Sequence, residues 1–568
     1  MNRTMVAEEY MEKLEDLEAR RQPIEKWHKK VTDYVLPMRA GMWEENSPPK
    51  ESLAQDIDSK LYDTYPVHGS VTLSNGMTAY NCGPHSPWYK LKVSVEWMNE
   101  IPGVKDWLEQ CETIEYMLLH RFGFYDAAGE FQLDLVGFGT STIDVEENLG
   151  AGEIIFSPRR PVDSYLLQGR NGRVDTNYGI RWLTAREAVK RFGDGDDMPK
   201  DIVRDADEKP AEKHKFLHVL EPREDANEDL PWAEELPVAG VWIACEEMKI
   251  VENKGFNEMP AITARWGKNS GDTYGWSPVI LCMSDIVRLQ KIAKSDLEGR
   301  QLFNKKPLSV PRELRGKERI VPGGYNYYKD PTRQISAIDL GGTLPTVKDL
   351  VMDIHQTLDK HLYTDLFLML QGVERQMTAR EVVERKGEQV AALSHPLSRQ
   401  NTEFLKPVVS RVFNIASRAG WFPNPPPALV RAWAEHIRRT GTTQKPIDMD
   451  FIGLLAQAQR RYQESQNINA GLATVAAMNE QNPEAFVWDN FDFDDMSRGV
   501  GQSSGFRQSS IREIPDRDKI REQRQQAIAQ QRQLEMAERA AGMIPDLSKK
   551  PEAGSPAEMV AKQVSTVP

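Results

Sequence analysis

The sequence is constrained most by two strongly periodic helical segments, which are separated by about 45 residues of turn-rich sequence. The first begins at Ser277, a good N-cap residue, followed by Pro278, whose missing N–H costs nothing in the first turn. Its apolar residues recur in steps of three and four and therefore share one face: Val279, Met283, Ile286, Leu289, Ala293 and Leu297. Ending at Arg300, this helix would be about 36 Å long.

The second segment begins after Pro345 and Thr346, and Asp349 places a carboxylate where the helix dipole favours it. Its apolar face is more regular: Val347, Leu350, Val351, Ile354, Leu358, Leu362 and Leu366. Because the connection is too long for a simple turn, the two segments predict an antiparallel helix pair with a small subdomain between them.

An apolar run, FLMLQGVERQ, follows from Phe367 to Gln376. The chain has to reverse after it, because the capping box at Thr378–Glu381 begins a new helix, interrupted at Gly387 and Pro396 and continuing to Gly420. Exposed apolar runs are costly, so we predict a loop that neighbouring chains partly bury. The alternative, that 367–370 continue the preceding helix and pack in a core, stays open.

The first half of the chain predicts a mixed α and β fold. From Glu153 to Trp266, short β-branched and aromatic runs are separated by turn residues. Before this region, we expect two short helices within 7–36, broken at Pro23, and a buried segment from Leu61 that ends near Asn75 and Gly76. Two further helices are predicted over 104–121 and about 127–136, followed by a strand over 140–147. Within the strand-rich region, a capped helix is predicted to begin at Thr184.

Length and composition limit the class of protein that this chain can be. A chain of 568 residues is long enough for roughly two to four domains. With 40% hydrophobic and 28% charged residues, no apolar run of membrane-spanning length and a polar N-terminus, it is predicted to be soluble, without a membrane span or signal peptide. The cysteines are far apart and match no metal spacing, so we expect reduced thiols at Cys82, Cys111, Cys245 and Cys282.

No motif in the sequence predicts catalysis, a cofactor or a metal. The GxSxG match at Gly501–Gly505 lacks the strand and helix of a nucleophile elbow. Asp492, Asp494 and Asp495 lack a glycine-turned loop and histidine partners, which favours a solvated acidic face. Since phosphate-loop, HExxH and CxxC patterns are also missing, we expect neither an enzyme nor catalytic residues.

The C-terminal region is predicted to be largely helical. Residues Ile447 to Met478 are patterned as a helix. From Pro515 the sequence turns to Gln, Arg, Glu and Ala, which favour helix by propensity but leave a thin apolar stripe. Everything past Pro545 has the composition of a disordered tail.

Several stretches resemble the portal, or head-to-tail connector, proteins of short-tailed bacteriophages. They are GDTYGWSPV before the helix pair, MTAREVVER at the start of the long helix, LKPVVSRVFNIASRAGWFPNPPP within and after it, and DLVGFGTSTIDVEEN upstream. The resemblance covers roughly residues 5–500. It implies an α+β, multidomain subunit that assembles into a cyclic ring of about twelve copies around a DNA channel.

The resemblance also implies a layout and a set of DNA-facing residues. The layout is a wing (1–276), first stem helix (277–300), clip (301–345), second stem helix (346–366), tunnel loop (367–377), long kinked wing helix (378–420), mainly helical crown (421–515), and a C-terminal helix that could form a barrel, with a disordered tail (516–568). The tunnel-loop residues implied to line the channel are Met369, Leu370, Gln371, Gly372, Val373, Glu374 and Arg375.

The implied function is that of a structural ring at one vertex of the virion capsid, made in the host cytoplasm, through which double-stranded DNA is packaged and ejected. The implied partners are further copies of the chain, DNA, the large terminase ATPase, tail adaptor and nozzle proteins, and the major capsid and scaffolding proteins. The alternatives are a helical tail adaptor or scaffold protein without a DNA channel, and a nucleic-acid enzyme, which would need a phosphate loop or carboxylate cluster.

The net charge of the chain and the local charge of the clip each suggest how the implied channel and clip would interact with DNA and partners. The formal net charge of −13 suits DNA that slides, because neutralising about six to ten phosphates holds DNA tightly, but this charge is also ordinary for a soluble protein. The first half of the clip is basic: Lys305, Lys306, Arg312, Arg315, Lys317 and Arg319. This run predicts a docking surface for acidic partners or a DNA-facing rim; a solvated loop is the alternative.

Overall fold

The computed structural model describes residues 3–43, 60–148, 150, 152–223, 236–304, 347–371, 391–441, 447–453, 455, 517–529 and 531, with short stretches and single positions between 308 and 337. The chain divides into two compact units, residues 1–496 and 497–568. In the second unit the described residues 517–529 are helical, as their composition predicts.

The first unit begins with helices that surround a short strand. They are α1 (Arg3–Tyr34), α2 (Tyr65–Cys82), β1 (Tyr89–Val93), α3 (Val104–Arg121) and α4 (Phe124–Phe138), with 3₁₀ turns at Pro37–Trp43 and Glu96–Glu100. Helix α1 is shared by two cores. Its first half contributes Ala7, Leu14 and Leu17 to one, and its last turns contribute Val31 to the main core around α4.

Two antiparallel sheets follow. Their elements are β2 (Thr140–Asn148), β3 (Glu153–Arg159), β4 (Ser164–Gln168), β5 (Val174–Thr184), α5 (Ala185–Phe192), α6 (Lys200–Glu208), β6 (Lys213–Pro222), β7 (Val238–Ala244), β8 (Lys249–Phe256) and β9 (Ala261–Arg265). The small sheet has the order β3–β2–β9, and the large sheet is a meander in the order β4–β5–β6–β7–β8. Helices α5 and α6 pack on the large sheet through a small core of their own, which includes Ala188, Ile202 and Trp242.

A buried polar network joins the two sheets. The Arg159 side chain donates from Nε to Asp144 Oδ2 at 2.6 Å and from Nη1 to Asn177 Oδ1 at 2.6 Å. Arg181 pairs with the same Asp144 carboxylate. His218 stacks on Trp242, and burial followed by the neighbouring Arg159 lowers the pKa of its ring well below the ordinary value. The neutral ring is therefore favoured beside these cations.

The later part of the unit is mainly helical. It comprises α7 (Pro278–Leu281), α8 (Met283–Asn304), β10 (Leu308–Ser309), β11 (Ser336–Ala337), α9 (Val347–Leu362), α10 (Thr364–Gln371), α11 (Ser394–Gln400), a π-helical turn (Asn401–Leu405), α12 (Lys406–Arg418), α13 (Pro427–Thr440) and β12 (Ile447–Phe451). Strands β10 and β11 pair antiparallel, and β12 pairs antiparallel with β1, placing Phe451 opposite Tyr89.

The mixed α and β fold is confirmed, and several local predictions hold. The two periodic helices are each divided, however: the first at Cys282, between α7 and α8, and the second at Tyr363, between α9 and α10. Helix α3 has the predicted bounds, Val104 to Arg121. The capping box at Thr184 forms as expected: its Oγ1 accepts from Glu187 N at 3.3 Å, and the Glu187 carboxylate accepts from Thr184 N at 3.0 Å.

Predictions that relied on single helix-breaking residues are wrong. Pro23 does not break α1, because the helix is held on both sides of it: Arg21 Nη1 donates to Val162 O at 2.6 Å, and the following turns enter the main core. Asn75 and Gly76 lie inside α2, where small residues permit close packing. The segment Ile447–Phe451 is a strand rather than the start of a helix, because the backbone of β1 provides its hydrogen-bonding partner.

Two carboxyl groups of α3 support β1 on the side away from β12. Glu112 Oε2 accepts a hydrogen bond from Leu91 N at 3.3 Å, and Glu115 is fully buried beside Tyr89. Burial raises the pKa of Glu112 to about 7, with Glu109 adding to the rise while the Leu91 N–H and Lys90 oppose it. Burial also raises the pKa of Glu115 well above its usual range. The folded state therefore favours protonated carboxyls here.

We expect Glu112→Gln to stabilise the protein at pH 8 and to have little effect near pH 4.5. A pKa raised on folding means that the contribution of Glu112 to stability is fully present below its unfolded pKa and is lost as pH rises through about 7. A rise from 4.5 to about 7 corresponds to at most about 3 kcal/mol. Thermal unfolding midpoints at both pH values test this, with the exposed Glu12→Gln as control. An equal difference from wild type at both pH values would contradict it.

Candidate functional site

The helix pair α8–α9 is buried at one end and exposed at the other. The N-cap at Ser277 is confirmed: Oγ accepts from Ile280 N at 3.0 Å and donates to Gly137 O at 2.8 Å. The first turn of α9 shares a cleft with α8 residues between Ser284 and Asp296, and α9 also contacts α7, as expected for an antiparallel pair. The buried members of the two predicted apolar faces are Val279, Met283, Ile286, Leu289, Ile354, Leu358, Leu362 and Leu366.

In the described part of the chain, the far ends of the same faces include exposed leucines. Leu297 of α8 is 46% exposed and Leu350 of α9 is 49% exposed. A cleft of about 640 Å³ lies between α8 and the first turn of α9, and its walls include Ile292 and Val347. The apolar faces are therefore longer than the core that the described part of one chain provides for them.

A polar cluster fastens the buried end of the pair to α2. Gln290 Oε1 accepts from Asp63 N at 2.9 Å, and the Asp63 carboxylate lies 3.1 Å from His355 Nε2. The His355 ring stacks on Tyr65 with centroids 3.8 Å apart, and Tyr65 donates to Asp359 Oδ1 at 2.7 Å. Burial, followed by this bond to Asp359, raises the pKa of the Tyr65 hydroxyl. The cluster ties α8, α9 and the start of α2 together.

Helix α9 ends in a backbone conformation that side chains rarely adopt. Tyr363 has φ of 53°, in the left-handed region, and α10 begins immediately after it. Thr364 Oγ1 donates to Asp359, so the turn is tied back to the preceding helix. A non-glycine residue held there costs roughly 1 to 3 kcal/mol, and the surrounding contacts have to enforce it.

Phe367 anchors α10 in a notch on α2. Its ring is fully buried and lies 6.3 Å from that of Tyr80. A Cβ atom at Gly76 would lie 2.1 Å from the Phe367 ring, and one at Gly69 would lie 2.7 Å from Leu362. Because these two positions have no side chain, α9 and α10 can pack directly against α2. Helix α10 is therefore held in place by the core.

The structure places only part of the predicted tunnel loop. Phe367 to Gln371 are helical, so the predicted loop start at Phe367 is wrong. The reason is that Leu366 and Phe367 pack into the main core, which extends the helical region past Leu366. The helical alternative holds only in part, because α10 begins after the break at Tyr363 rather than continuing α9, and Leu368 is 45% exposed. Met369, Leu370 and Gln371 form the last turn of α10, whereas Gly372, Val373, Glu374 and Arg375 lie outside the described residues.

The predicted clip is described at few positions. Arg312 is exposed, and the short pairing of β10 with β11 brings Leu308 opposite Ala337. Lys305, Lys306, Arg315, Lys317 and Arg319 lie outside the described residues, as do the start of the long helix at Thr378 and its predicted interruption at Gly387.

The long helix is interrupted close to Pro396, as predicted: a turn at Leu393 separates α11 from the helical residues before it. Pro396 is accommodated in the first turn of α11, where a missing N–H is tolerated. A second irregular turn, which the sequence did not predict, is the π-helical segment Asn401–Leu405, which precedes Pro407. There Glu403 accepts from the fully buried Arg265 of β9, with Nη2 at 2.7 Å and Nε at 3.1 Å. The π turn therefore holds the small sheet and the long helix together through a buried ion pair.

The polar cluster around Asp63 and the Arg265–Glu403 pair are not predictable from the sequence. The partners His355 and Asp63 are 292 residues apart, and Arg265 and Glu403 are 138 residues apart. No local spacing signals such pairs. The density of Gly and Ser in α2 is a signal that the sequence does carry, but it indicates close packing in this helix rather than the turn that Asn75 and Gly76 predict.

The described residues offer no metal centre, because no cluster of His, Cys, Asp and Glu among them is suited to hold an ion. All four cysteines are free, and burial raises the pKa of each thiol to about 12. Gly501–Gly505 and Asp492, Asp494 and Asp495 lie outside the described residues. Within the described part of the chain, no helix is both long enough and apolar enough to cross a membrane.

Comparison with known families identifies the class. Residues 7–511 match the family described as bacteriophage head to tail connecting protein, which covers most of the chain, and the chain belongs to this family. It is similar to the probable portal protein of Bordetella phage BPP-1, with 26% identity over 476 residues, 82% of this chain and 81% of the relative. It is also similar to the portal protein of Salmonella phage epsilon15, with 25% identity over 449 residues, 76% of this chain and 80% of the relative.

These findings confirm the resemblance to portal proteins of short-tailed phages and support a phage portal over a tail adaptor or scaffold protein. The family is a structural one that connects the phage head to the tail, which implies a homo-oligomer located at a vertex of the capsid.

Proposed function

We propose that this chain is the subunit of a portal ring of about twelve copies, set at one vertex of a short-tailed phage capsid. Double-stranded DNA enters and leaves through its central channel. The ring itself is structural: the large terminase ATPase supplies the energy for packaging, tail adaptor and nozzle proteins dock after packaging, and major capsid and scaffolding proteins surround the ring in the shell.

The observation that carries the proposal is the half-exposed helix pair. The apolar faces of α8 and α9 continue past the core of the chain, and Leu297 and Leu350 at their far ends are about half exposed. A monomer gains nothing from such an extension, whereas a cyclic assembly covers it with the same helices of its neighbours. A tail adaptor without a channel would have no evident use for this pair.

Electron microscopy of the purified full chain tests the ring directly. Symmetric particles with a central hole are expected. A monodisperse species of 64.6 kDa under all conditions would overturn the proposal. Measuring ATP hydrolysis by the rings alone and with the terminase separates the structural role from a motor, because we expect turnover only when the terminase is present.

We expect Leu297→Asp combined with Leu350→Asp to abolish rings and leave folded subunits. Both side chains are exposed in the single chain, so the charges cost little there, but burying them between subunits would cost several kcal/mol. Light scattering after size-exclusion chromatography measures assembly, and circular dichroism measures folding. Met248→Asp, an exposed apolar residue in the turn before β8, is the matched control. Rings that persist in the double variant would place the subunit contact elsewhere.

The basic run of the predicted clip is proposed to dock the packaging motor or tail adaptor. We expect changing Lys305, Lys306, Arg312 and Arg315 to Glu to spare the ring and to weaken docking about three- to tenfold at low salt. Rim charges act mainly on association rate and salt dependence, so the defect should shrink at high salt. Binding kinetics on immobilised rings provide the measurement.

The control for this variant changes the same number of exposed basic residues to Glu elsewhere in the chain: Arg170, Arg173, Arg186 and Lys190. Equal weakening by the control would assign the effect to overall charge. Unchanged docking by the clip variant at low salt would show that the run is merely solvated.

A further inference from the structure

A groove on the outer side of α3 is lined by acidic and aromatic side chains. Its volume is about 870 Å³. One wall is a single face of α3, and the other is the segment that follows α12: Asp106, Glu109, Gln110, Thr113 and Ile114, then Trp421, Phe422 and Pro423. Two separate parts of the chain therefore shape one depression, which lies outside the helix pair, the predicted clip and the predicted tunnel loop.

The wall formed by Trp421 to Pro423 is held rigidly. Gly420 adopts φ of 70° at the end of α12, and Trp421 N then donates to Ala416 O at 3.0 Å, which closes the helix end. Trp107 of α3 donates from Nε1 to Pro423 O at 2.9 Å, and Phe422 packs on Phe413 with ring centroids 4.7 Å apart. The groove is thus preformed, which lowers the entropic cost of binding.

Among the described residues, the groove carries two carboxylates with little positive charge beside them. Asp106 is exposed and Glu109 is half-buried, and neither has an ion-pair partner among the described residues. The described residues that line the groove include no lysine or arginine. The nearby cations are engaged elsewhere: Lys105 Nζ lies 3.2 Å from Glu100, and Arg418 pairs with Glu147 and Glu258. A bound group that brings positive charge would therefore meet the unpaired Asp106 carboxylate and the Glu109 carboxylate, which the more distant Lys90 attracts without a close ion pair.

We propose that this groove docks a basic segment of another protein, in which arginine or lysine alternates with aliphatic residues. The cations would pair with Asp106 and Glu109, since charge-assisted hydrogen bonds are the strong ones. Trp421 offers an indole face for a guanidinium, and Ile114 and Phe422 offer apolar contact for the residues between. An acidic or purely apolar segment would leave the carboxylates unpaired and partly desolvated.

Fluorescence anisotropy with the full chain tests the proposal. The probe is a short fluorescein-labelled peptide alternating arginine and leucine, and the control peptide alternates glutamate and leucine. We expect Asp106→Lys with Glu109→Lys to weaken binding of the basic peptide at least about tenfold, and Trp421→Ala to weaken it about three- to tenfold. Glu8→Lys with Glu12→Lys makes the same charge change on the exposed side of α1 and should leave binding nearly unchanged.

Each alternative outcome overturns the proposal. Failure of the basic peptide to bind, or equal binding of the acidic peptide, would show that the groove does not select this chemistry. Equal weakening by the α1 control would indicate non-specific attraction. A change of oligomeric state with unaltered peptide binding in the Asp106 and Glu109 variant would make the groove a contact between copies of the chain. The charge-reversal positions lie on the groove surface, so the variant should fold, which urea unfolding verifies.

Discussion

Glu403→Ala is expected to lower the free energy of unfolding by about 3 to 5 kcal/mol, because it leaves the fully buried Arg265 without its anion. The Glu403 carboxylate accepts from Arg265 N, Nε and Nη2 and also from Arg399 Nη1 at 3.2 Å. Without this carboxylate, several buried N–H donors beside the π turn lose an acceptor. Urea unfolding measures the loss, and hydrogen exchange of Ser394–Arg418 locates it.

Two further variants separate the buried ion pair from general effects of substitution. Glu435→Ala removes an exposed carboxylate that pairs with Arg439 one helical turn away, and it should change stability by less than about 0.5 kcal/mol. The double variant Arg265→Met with Glu403→Leu removes both charges and should recover much of the loss, because no ion is left unpaired. A single Glu403→Ala variant as stable as wild type would contradict the buried pairing.

Deleting Leu370 to Glu374 is expected to leave rings that assemble but that package or retain DNA poorly. This prediction rests on the proposed function. The deletion begins beyond Phe367, whose burial against Gly76 anchors α10, so the core of the subunit keeps its contacts. It removes Gly372, which gives the segment freedom to bend, and it removes Glu374 next to Arg375, which could reach a phosphate. The DNA content of capsids after packaging is the measurement.

A deletion of the same length, residues 225–229 between β6 and β7, provides the control. It should leave both rings and packaged DNA close to wild type, because it lies far from α10 in sequence and shortens a connection. Normal packaging and retention of DNA by the Leu370 to Glu374 deletion would show that this segment does not act on DNA in the channel. Loss of rings would instead show that the segment contributes to contacts between subunits.

The sequence by itself determined those elements whose causes are local. The capping box at Thr184, the N-cap at Ser277 and the periodic helix Val104–Arg121 all form as predicted, since side chains within one or two turns decide each of them. The family membership is likewise a property of the sequence, because residues 7–511 match the family without reference to the tertiary structure.

Only the tertiary structure decided which residues those elements meet. Pro23 stays within a helix and Gly76 forms a packing notch, because contacts made far along the chain outweigh local propensity. The extended Ile447–Phe451 needs β1 as a partner, and the paired residues Lys92 and Asp450 are 358 positions apart. The buried pair Arg265–Glu403 forms for the same reason: a charge is tolerated inside a protein only where folding brings its counter-ion to it.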